Sequence, residues 1–306
     1  MKKVLIGIPT YNGYKRVDSL LQSISMRTYK EIDYNIVICD DSGKKEHQKN
    51  VTSVVNKWRS ILPVELIIND KNIGVAKSWN RIIRSKDSQH IILINDDIIV
   101  ATDWLKNMVY FLDNNQNIGA AIYNCLFINE EDIPQLLLSV DPIIDTRDPI
   151  TRVKINNSKN NGDTFPVRCM AYWGCFFGFR REIYDTFGEF DEHYFAYFEE
   201  YDFLTNLASH GYPSYILRSP KNWHIWSATS KTSPELNIKT TFDKSKQYYD
   251  IKWDGDNNIA TNRYMTKIPF QKVKWACDDS TYEEFLTDKY GYFKIELEND
   301  NAKIVN

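Results

Sequence analysis

The sequence predicts an α/β fold in which a mostly parallel β-sheet is covered by helices on both faces. Three observations favour this class. Over the first 125 residues, short runs rich in Val and Ile alternate with segments whose apolar residues recur at helical spacing. A strand, a helix and a second strand in succession are typical of a parallel pair joined by a crossover helix. The composition, with 42% apolar and 26% charged residues, is that of an ordinary globular protein.

The predicted elements of the first half follow one another in a regular order. The strands are residues 3–9, 34–40, 64–69, 90–95 and 118–127. The helices that separate them are residues 14–26, 44–60, 74–85 and 102–114. The strands have the β-branched composition of buried strands, and the first helix has its apolar residues at helical spacing. This alternation is what predicts crossover connections and a sheet covered on both faces.

The second half is less regular. Residues 126–167 combine acidic residues, prolines and an Asn-rich cluster, which predicts a long excursion of short strands and turns. Order returns near residue 167. From about residue 235 to the end the periodicity is weak and the chain is polar and aromatic, so we expect an extension that wraps the core.

Bulk properties narrow the class of protein. The formal net charge of −3 gives no overall attraction for nucleic acid, although a local basic patch is compatible with it. Aromatic residues make up 14% of the chain, which suits flat ligands such as sugars and bases, or else a bulky core. The five cysteines form no CxxC pair, which indicates a reducing compartment and argues against disulfides and a zinc site. Gly7 and Pro9 break the N-terminal apolar run, and no run approaches the ~18 apolar residues of a bilayer span. We expect a cytoplasmic protein, or one peripheral to a membrane.

Polar residues follow four of the predicted strands. They read PTYN at 9–12, DDS at 40–42, NDKNIG at 69–74 and NDD at 95–97. In an open parallel sheet, ligands bind beyond the carboxyl ends of the strands. Helix capping and turn formation would explain one such end, but they are a poor explanation for four along one edge. Two adjacent carboxylates within the apolar run IILINDDIIV also require something cationic to meet them.

These motifs, in this order, resemble the start of glycosyltransferase family 2, whose members have a GT-A nucleotide-sugar-binding fold. The later stretch WGCFFGFRREIYDTFGEFDEHYFAYFEEYDF is similar to the family's Gly-aromatic-Arg-Arg, GxFDE and Glu-Asp segments, and WHIWSATS resembles its late histidine segment. The match covers about residues 3–230. It implies a GT-A domain over residues 1–234, with a nucleotide-sugar-binding half (1–125) and an acceptor and catalytic half (126–234), and an extension (235–306) packed on the core.

The resemblance implies a divalent metal, Mn²⁺ or Mg²⁺, held by Asp97 and His224. The chemistry supports this, because a cation held by carboxylates neutralises the charge that grows on the leaving nucleotide. Asp96 would be a second ligand or contact the ribose or phosphate through water. Asn95 stands where the family commonly has Asp. A histidine between two tryptophans, as His224 is, could instead be a packed core residue.

The resemblance also assigns residues to the nucleotide-sugar. They are Pro9, Thr10, Tyr11, Asn12, Asp40, Asp41, Asn72, Gly74 and Asp96. Tyr11 would stack on the base, and Asp40 would accept a hydrogen bond from the base ring, which favours uracil or thymine. Asp41 would cap the next helix or approach the ribose. The turn that ends at Gly74 would bring the backbone close to the nucleotide, unless it is simply a glycine turn before a helix.

The catalytic base should be a carboxylate within reach of the acceptor hydroxyl. The family usually reads Glu-Asp where this chain has Glu199 and Glu200, so matching by position assigns the base to Glu200. Glu199 would orient a neighbour or contact the acceptor. The alternative is a pair of exposed acids at a helix start, favoured by the helix dipole. Trp173 would stack on an acceptor sugar, and Gly174 would permit its close approach.

The function that follows is an inverting, metal-dependent glycosyltransferase that uses a UDP- or dTDP-sugar. Its acceptor would be a glycan, a lipid-linked sugar, a protein, or a modified base in nucleic acid, which the basic residues after 235 leave open. A nucleotidyltransferase is a second possibility, but GIPTYNGYKR is a poor version of the phosphate loop it needs. A third is a carbohydrate- or nucleotide-binding protein that uses the same scaffold without catalysis.

Overall fold

A computed structural model of the protein describes residues 3–28, 32–138, 166–169, 174–225, 237–269, 273–275, 280–282, 286–287, 292–298 and 301–305. The strands in these residues are β1 Lys3–Thr10, β2 Asp33–Asp40, β3 Val64–Ile68, β4 His90–Ile94, β5 Ile98–Ile99, β6 Ala120–Tyr123, β7 Leu126–Ile128, β8 Val167–Cys169, β9 Phe176–Arg180, β10 Ser214–Leu217, β11 Trp223–Ile225, β12 Val273–Trp275, β13 Ser280–Tyr282, β14 Leu286–Thr287, β15 Tyr292–Glu298 and β16 Asn301–Val305. The α-helices are α1 Tyr14–Arg27, α2 Lys45–Trp58, α3 Val75–Ser85, α4 Trp104–Asn114, α5 Ile133–Leu138, α6 Arg181–Phe187, α7 Glu199–Ser209, α8 Ile238–Trp253 and α9 Asn257–Met265, with a short 3₁₀ helix at Glu130–Asp132.

The predicted α/β class is confirmed. In the described residues, one sheet contains strands in the order β16-β15-β14-β8-β10-β6-β9-β4-β1-β2-β3. Strands β4, β1, β2 and β3 are parallel, as the alternating sequence pattern predicts. The predicted fifth strand is divided into β6, in this sheet, and β7, in a second one.

The sheet differs from the expected one in having an antiparallel strand near its centre. Strand β9 pairs antiparallel with both β4 and β6, so β4 and β6 are not neighbours. Its first residue, Phe176, lies opposite Ile94 at the carboxyl end of β4. The backbone N–H of Asn95 donates to the carbonyl oxygen of Cys175 at 2.8 Å. The residues just before β9 therefore reach the edge of the sheet where the polar motifs lie.

Strand β4 shows why helices cover both faces. Ile92 and Ile94 belong to the core packed under α1, α2 and α4, whereas Ile91 and Leu93 belong to the core under α3, α6 and α7. Alternate residues of a strand point to opposite faces, so a strand buried on both sides must be apolar throughout. Much of the aromatic content is used here, in a cluster formed by Trp79, Phe177, Phe179, Phe190 and Phe203.

A small second sheet, β5-β11-β7, lies beside the carboxyl end of β4. In its pairing, His224 lies opposite Ile98 on one side and Phe127 on the other. The N–H of Ile225 donates to the carbonyl oxygen of Asp97 at 2.9 Å. This register brings a histidine from late in the chain next to the NDD motif.

The residues after 235 contain regular structure that the sequence did not predict. Helix α8 has 16 residues, but its buried side consists of Ser245 and Tyr249. So narrow a buried stripe gives almost no helical periodicity, because this helix packs through scattered aromatic rings and polar side chains. Within the described part of the chain, no helix is both long enough and apolar enough to cross a membrane.

Candidate active site

The NDD motif meets the N-terminal loop through Asp96. Thr10 Oγ1 donates to Asp96 Oδ2 at 2.5 Å, and the Arg16 guanidinium donates to both carboxylate oxygens at 3.2 and 3.3 Å. A side chain at Gly13 would overlap the same carboxylate, so the loop needs glycine there. Burial raises the pKa of Asp96 to about 6, although Arg16 opposes the shift. Asp96 therefore holds the loop after β1 against the end of β4.

The neighbouring carboxylate is placed differently. Asp97 Oδ1 lies 3.3 Å from His224 Nε2, but at an angle that does not make a hydrogen bond. Asp97 Oδ1 and His224 Nδ1 are buried and have no hydrogen-bond partner among the described residues. Burial would lower the pKa of His224, but the Asp97 carboxylate and the Cys175 thiol outweigh it and raise that pKa well above its usual value. The position thus attracts positive charge.

Asp97 and His224 together fit one edge of a cation site. Among the described residues, no group of three or more His, Cys, Asp or Glu side chains is arranged to enclose a metal by itself. A divalent cation would therefore take its other ligands from the diphosphate of a donor and from water, as Mg²⁺ commonly does in phosphate-binding sites. The orphaned carboxylate oxygen is consistent with such a shared site.

The residues after β1 and β2 make local turns. Asp40 accepts hydrogen bonds from the backbone N–H and the hydroxyl of Ser42, both at 3.0 Å. Pro9 lies within β1, and Tyr11 and Asn12 follow it, half-buried. Asn12 has a φ of 55°, a left-handed conformation that Asn tolerates better than most residues. These residues line one end of the sheet, as predicted.

Asp41 fixes the next turn along the edge. Its carboxylate accepts from the N–H groups of Ile73 and Gly74 and from the Asn69 amide, each at 2.8 Å. Gly74 has a φ of 91°, and a side chain there would overlap the carbonyl of Phe195. Asp41 does not cap α2, which follows Lys44. The glycine turn is therefore packed against the loop that leads to α7.

The glycine turn also contains a hydrogen bond in which the Asn72 side chain accepts from the N–H of Gly74 at 3.1 Å. The N–H of Val75 donates to Phe195 O at 2.7 Å, so α3 begins against the same carbonyl. We call residues 188–198 the base loop, because they precede the two glutamates that begin α7. The glycine turn and the base loop thus share a backbone contact.

The two glutamates at the start of α7 are close to the sheet edge. The N–H of Gly174 donates to Glu200 Oε1 at 3.4 Å, and a Cβ at position 174 would overlap the Glu200 side chain. The residue Glu200 is partly exposed, but its Oε2 is buried, as is Oε2 of Glu199, and neither has a hydrogen-bond partner in the described structure. Trp173 lies outside the described residues.

Both glutamates have altered acidity. Burial raises the pKa of Glu200 to about 7. Burial and the charge of Glu200 raise the pKa of Glu199 well above its usual value. A carboxylate that titrates near neutral pH is suited to accept a proton from a hydroxyl. The arrangement does not match that of exposed acids at a helix start.

Helix α8 holds the base loop and the start of α7, a role that no sequence pattern predicts. Lys252 Nζ lies 2.8 Å from Asp191 and 2.9 Å from Asp202. Trp253 Nε1 also donates to Asp202 at 2.8 Å. Nearer the glutamates, the Ser245 hydroxyl donates to the Ala196 carbonyl at 2.7 Å. The partners lie some 50 residues apart in the sequence, so no local pattern connects them.

The chain is similar to known glycosyltransferases. Poly(ribitol-phosphate) beta-N-acetylglucosaminyltransferase TarS of Staphylococcus aureus is 22% identical over 177 residues, which are 54% of this chain and 30% of that protein. This chain thus spans less than a third of that relative's length. The crystal structure of S. aureus TarS 1-349 in complex with UDP-GlcNAc aligns with a TM-score of 0.57 at 13% identity, and covers 88% of this chain and 71% of the other.

A second solved structure shares the fold. The mannosyltransferase PcManGT from Pyrobaculum calidifontis, in complex with GDP-Man and Mn²⁺, aligns with a TM-score of 0.52 at 18% identity. The alignment covers 73% of this chain and 56% of that one. The described sheet and its flanking helices are those of a GT-A enzyme. The model of the family described as "Glycosyl transferase family 2" matches residues 5–188. The chain therefore belongs to glycosyl transferase family 2, a family of glycosyltransferases.

Proposed function

We propose that this protein is a metal-dependent, inverting glycosyltransferase that moves a sugar from a UDP- or dTDP-sugar to an acceptor hydroxyl. One observation carries the proposal. The Asp97–His224 pair and the Glu200 carboxylate both adjoin the segment Gly174–Cys175 at the carboxyl end of β4. A site for a cation and a poised base are thus next to each other, as transfer between a nucleotide-sugar and a hydroxyl requires.

In this mechanism Glu200 acts on the acceptor. Its ionised carboxylate takes the proton of the acceptor hydroxyl, and the oxygen attacks the anomeric carbon of the donor sugar. The bond from that carbon to the nucleotide diphosphate breaks, and its electron pair leaves with the nucleotide. When bound, a cation at Asp97 and His224 would neutralise the charge of the diphosphate. Attack from the side opposite the leaving group inverts the anomeric centre.

The same geometry supports assigning the donor and the acceptor to different parts of the chain. We assign donor binding to residues 1–125, and acceptor binding and proton transfer to residues 126–234. Residues 235–306 would stabilise the acceptor side through α8, whose Lys252 and Ser245 hold the base loop. Gly174 would provide the space into which Glu200 and an acceptor fit.

A glycan is a better acceptor in this proposal than nucleic acid. In α8, Lys239, Lys246 and Lys252 each pair with a carboxylate, so their charges are already balanced within the protein. The S. aureus relative is named for a poly(ribitol-phosphate) acceptor, which favours a polymeric acceptor in this case too. The free, buried thiols of Cys39, Cys125, Cys169 and Cys175 support a cytoplasmic location.

The donor half of the proposal is tested by thermal shift. UDP, dTDP, GDP and CMP are each added with and without Mn²⁺ to the wild type, Asp97→Asn and Asp87→Asn. Asp87 is exposed near the opposite end of β4 and serves as the matched control. A nucleotide at ~100 times its Kd should add about 2.7 kcal/mol of stability.

We expect a Mn²⁺-dependent shift with UDP or dTDP, lost in Asp97→Asn and kept in Asp87→Asn. A nucleotide-induced thermal shift of the same size with and without Mn²⁺ would count against a metal in the mechanism. A preference for GDP would overturn the pyrimidine assignment. The absence of a thermal shift with every nucleotide would indicate a scaffold that does not bind the donor, and it would overturn the proposal.

A further inference from the structure

Two large aromatic side chains of the base loop and one of α8 are exposed to solvent. Phe195 is 41% exposed, Tyr197 is 37% exposed and Phe242 is 42% exposed. The rings of Tyr197 and Phe242 are 5.6 Å apart and nearly perpendicular. Phe242 also packs on the buried ring of Phe198 at 5.3 Å. We call Tyr197 and Phe242 the aromatic platform, because they present neighbouring rings to solvent.

The aromatic platform adjoins the proposed base. Tyr197 lies two residues before Glu199, in the last turn of the base loop. Partial burial, and then the charges of Glu199 and Glu200, raise the pKa of Tyr197, which places its hydroxyl within the field of both carboxylates. Phe242 arrives from α8, the helix whose Ser245 holds the Ala196 carbonyl. Two separate parts of the chain thus build one surface beside the site of proton transfer.

The backbone at the aromatic platform is strained. Tyr197 has a φ of 67° and Phe198 a φ of 71°, so two bulky residues in succession adopt the left-handed conformation. Such residues are genuine outliers there, because the Cβ crowds the backbone. The turn buries Phe198, directs the chain into α7 and leaves Tyr197 outside. Strain that the surrounding contacts maintain is characteristic of functional positions.

We propose that Tyr197 and Phe242 form an acceptor subsite that stacks on the apolar face of a pyranose ring. This inference rests on the proposed function, since the ring would present its hydroxyl to Glu200. A pyranose offers a flat face of C–H groups, which suits aromatic rings. An extended polyol phosphate has no such face on which the two rings could stack. The subsite therefore selects a ring sugar as the acceptor terminus.

The test measures binding of small acceptor probes to the UDP- and Mn²⁺-loaded protein. The probes are the methyl β-pyranosides of glucose, galactose and N-acetylglucosamine, together with ribitol 5-phosphate as the linear polyol. Affinity is measured by saturation-transfer NMR titration on the wild type, Tyr197→Ala, Tyr197→Phe and Phe242→Ala. Ile251→Ala is the matched control, because Ile251 is also on α8 and is 74% exposed.

We expect at least one pyranoside to bind the wild type, and Tyr197→Ala and Phe242→Ala each to weaken that binding by about fivefold. Tyr197→Phe, which keeps the ring, and Ile251→Ala should leave it unchanged. Equal pyranoside affinity in all five proteins would overturn the subsite. So would a wild type that binds no pyranoside, or ribitol 5-phosphate binding that depends on both rings.

The nucleotide-induced thermal shift separates this inference from the proposed function. A variant that keeps the shift is folded and has an intact donor site, so its loss of pyranoside binding is specific. If the shift is absent from the wild type, the proposed function itself fails. If the shift is present but the rings have no effect, the acceptor subsite alone is wrong. Should Tyr197→Ala not fold, Phe242→Ala and Tyr197→Phe still decide the outcome.

Discussion

Three aspartates of the first half and the two glutamates that begin α7 are held in opposite ways, and Asp97, with its orphaned oxygen, resembles the glutamates. Asp40, Asp41 and Asp96 in the first half accept hydrogen bonds from the protein itself. Glu199 and Glu200, in the second half, keep buried oxygens that no described residue satisfies. The three aspartates shape the loops at the carboxyl ends of the strands, where we propose that the donor binds. The two glutamates are left able to exchange a proton.

The largest expected effect comes from Glu200→Gln. Glutamine can still accept from the Gly174 N–H, but it cannot take a proton from an acceptor. We expect sugar transfer to fall by about 10³-fold, within the range that a general base contributes. Nucleotide binding should be unchanged, because Glu200 is not among the residues that we propose bind the nucleotide. Transfer rates and the UDP-induced thermal shift measure the two effects.

Glu199→Gln is the companion variant for that experiment. Its expected loss is smaller, because Glu199 makes no contact with Gly174 among the hydrogen bonds of the described structure. A Glu199→Gln enzyme slower than Glu200→Gln would transfer the role of base to Glu199. The difference between the aspartates and the glutamates would remain, but the proposed base would be Glu199 in place of Glu200.

The next largest effect is a loss of folding stability at the turn that ends at Gly74. Asp41→Ala removes the acceptor for the N–H groups of Ile73 and Gly74 and for the Asn69 amide. Leaving buried donors unpaired costs about 1–3 kcal/mol each, offset by no longer burying the carboxylate. We expect the free energy of unfolding to fall by about 3 kcal/mol in a urea titration. Asp40→Ala, which releases only local donors of Ser42, should lose about 1 kcal/mol.

Equal losses in these two variants would show that Asp41 does not organise the turn at Gly74. An Asp41→Ala protein with normal stability but no nucleotide binding would instead make Asp41 a ligand-binding residue. Either result would weaken the contrast between the aspartates, which hold loops, and the two glutamates, which we propose exchange a proton.

The smallest expected effect is a pH dependence of stability at the base. The pKa of Glu200 is raised to about 7 in the folded protein, above its value in the unfolded chain. Between these values the folded state binds more protons, so stability falls as pH rises towards 7. Glu200→Gln lacks this loss. At pH 8 it should be more stable than the wild type, and the difference should be much smaller near pH 4.

Melting temperatures of both proteins at pH 4, 6 and 8, without nucleotide, measure that difference. A gap that is constant with pH would mean that Glu200 titrates normally and is not poised as a base. Glu200→Gln also removes the charge that helps to raise the pKa of Glu199, so the measured difference belongs to the pair of glutamates.

The sequence predicted the parallel strands and the polar motifs at their ends because both are local patterns. It did not predict what those motifs contact. Arg16 meets Asp96 across 80 residues, and only folding brings the two together. Helix α8 was missed because its buried side is Ser245 and Tyr249, so apolar residues do not recur along it at helical spacing. The position of β9 was missed because strand order depends on tertiary packing, which short-range periodicity does not encode.

The antiparallel strand β9 also limits how this protein can be divided. A fragment of residues 1–125 would keep β4 but lose the strand beside it, and it would leave β6 with no neighbour. The bare edge of β4, whose five residues are buried in the whole chain, would be a template for aggregation. Chimeras that exchange acceptor specificity should therefore retain everything through Arg180. A junction at Gly188, after α6, would keep the central strands paired and exchange the base loop together with the helices that support it.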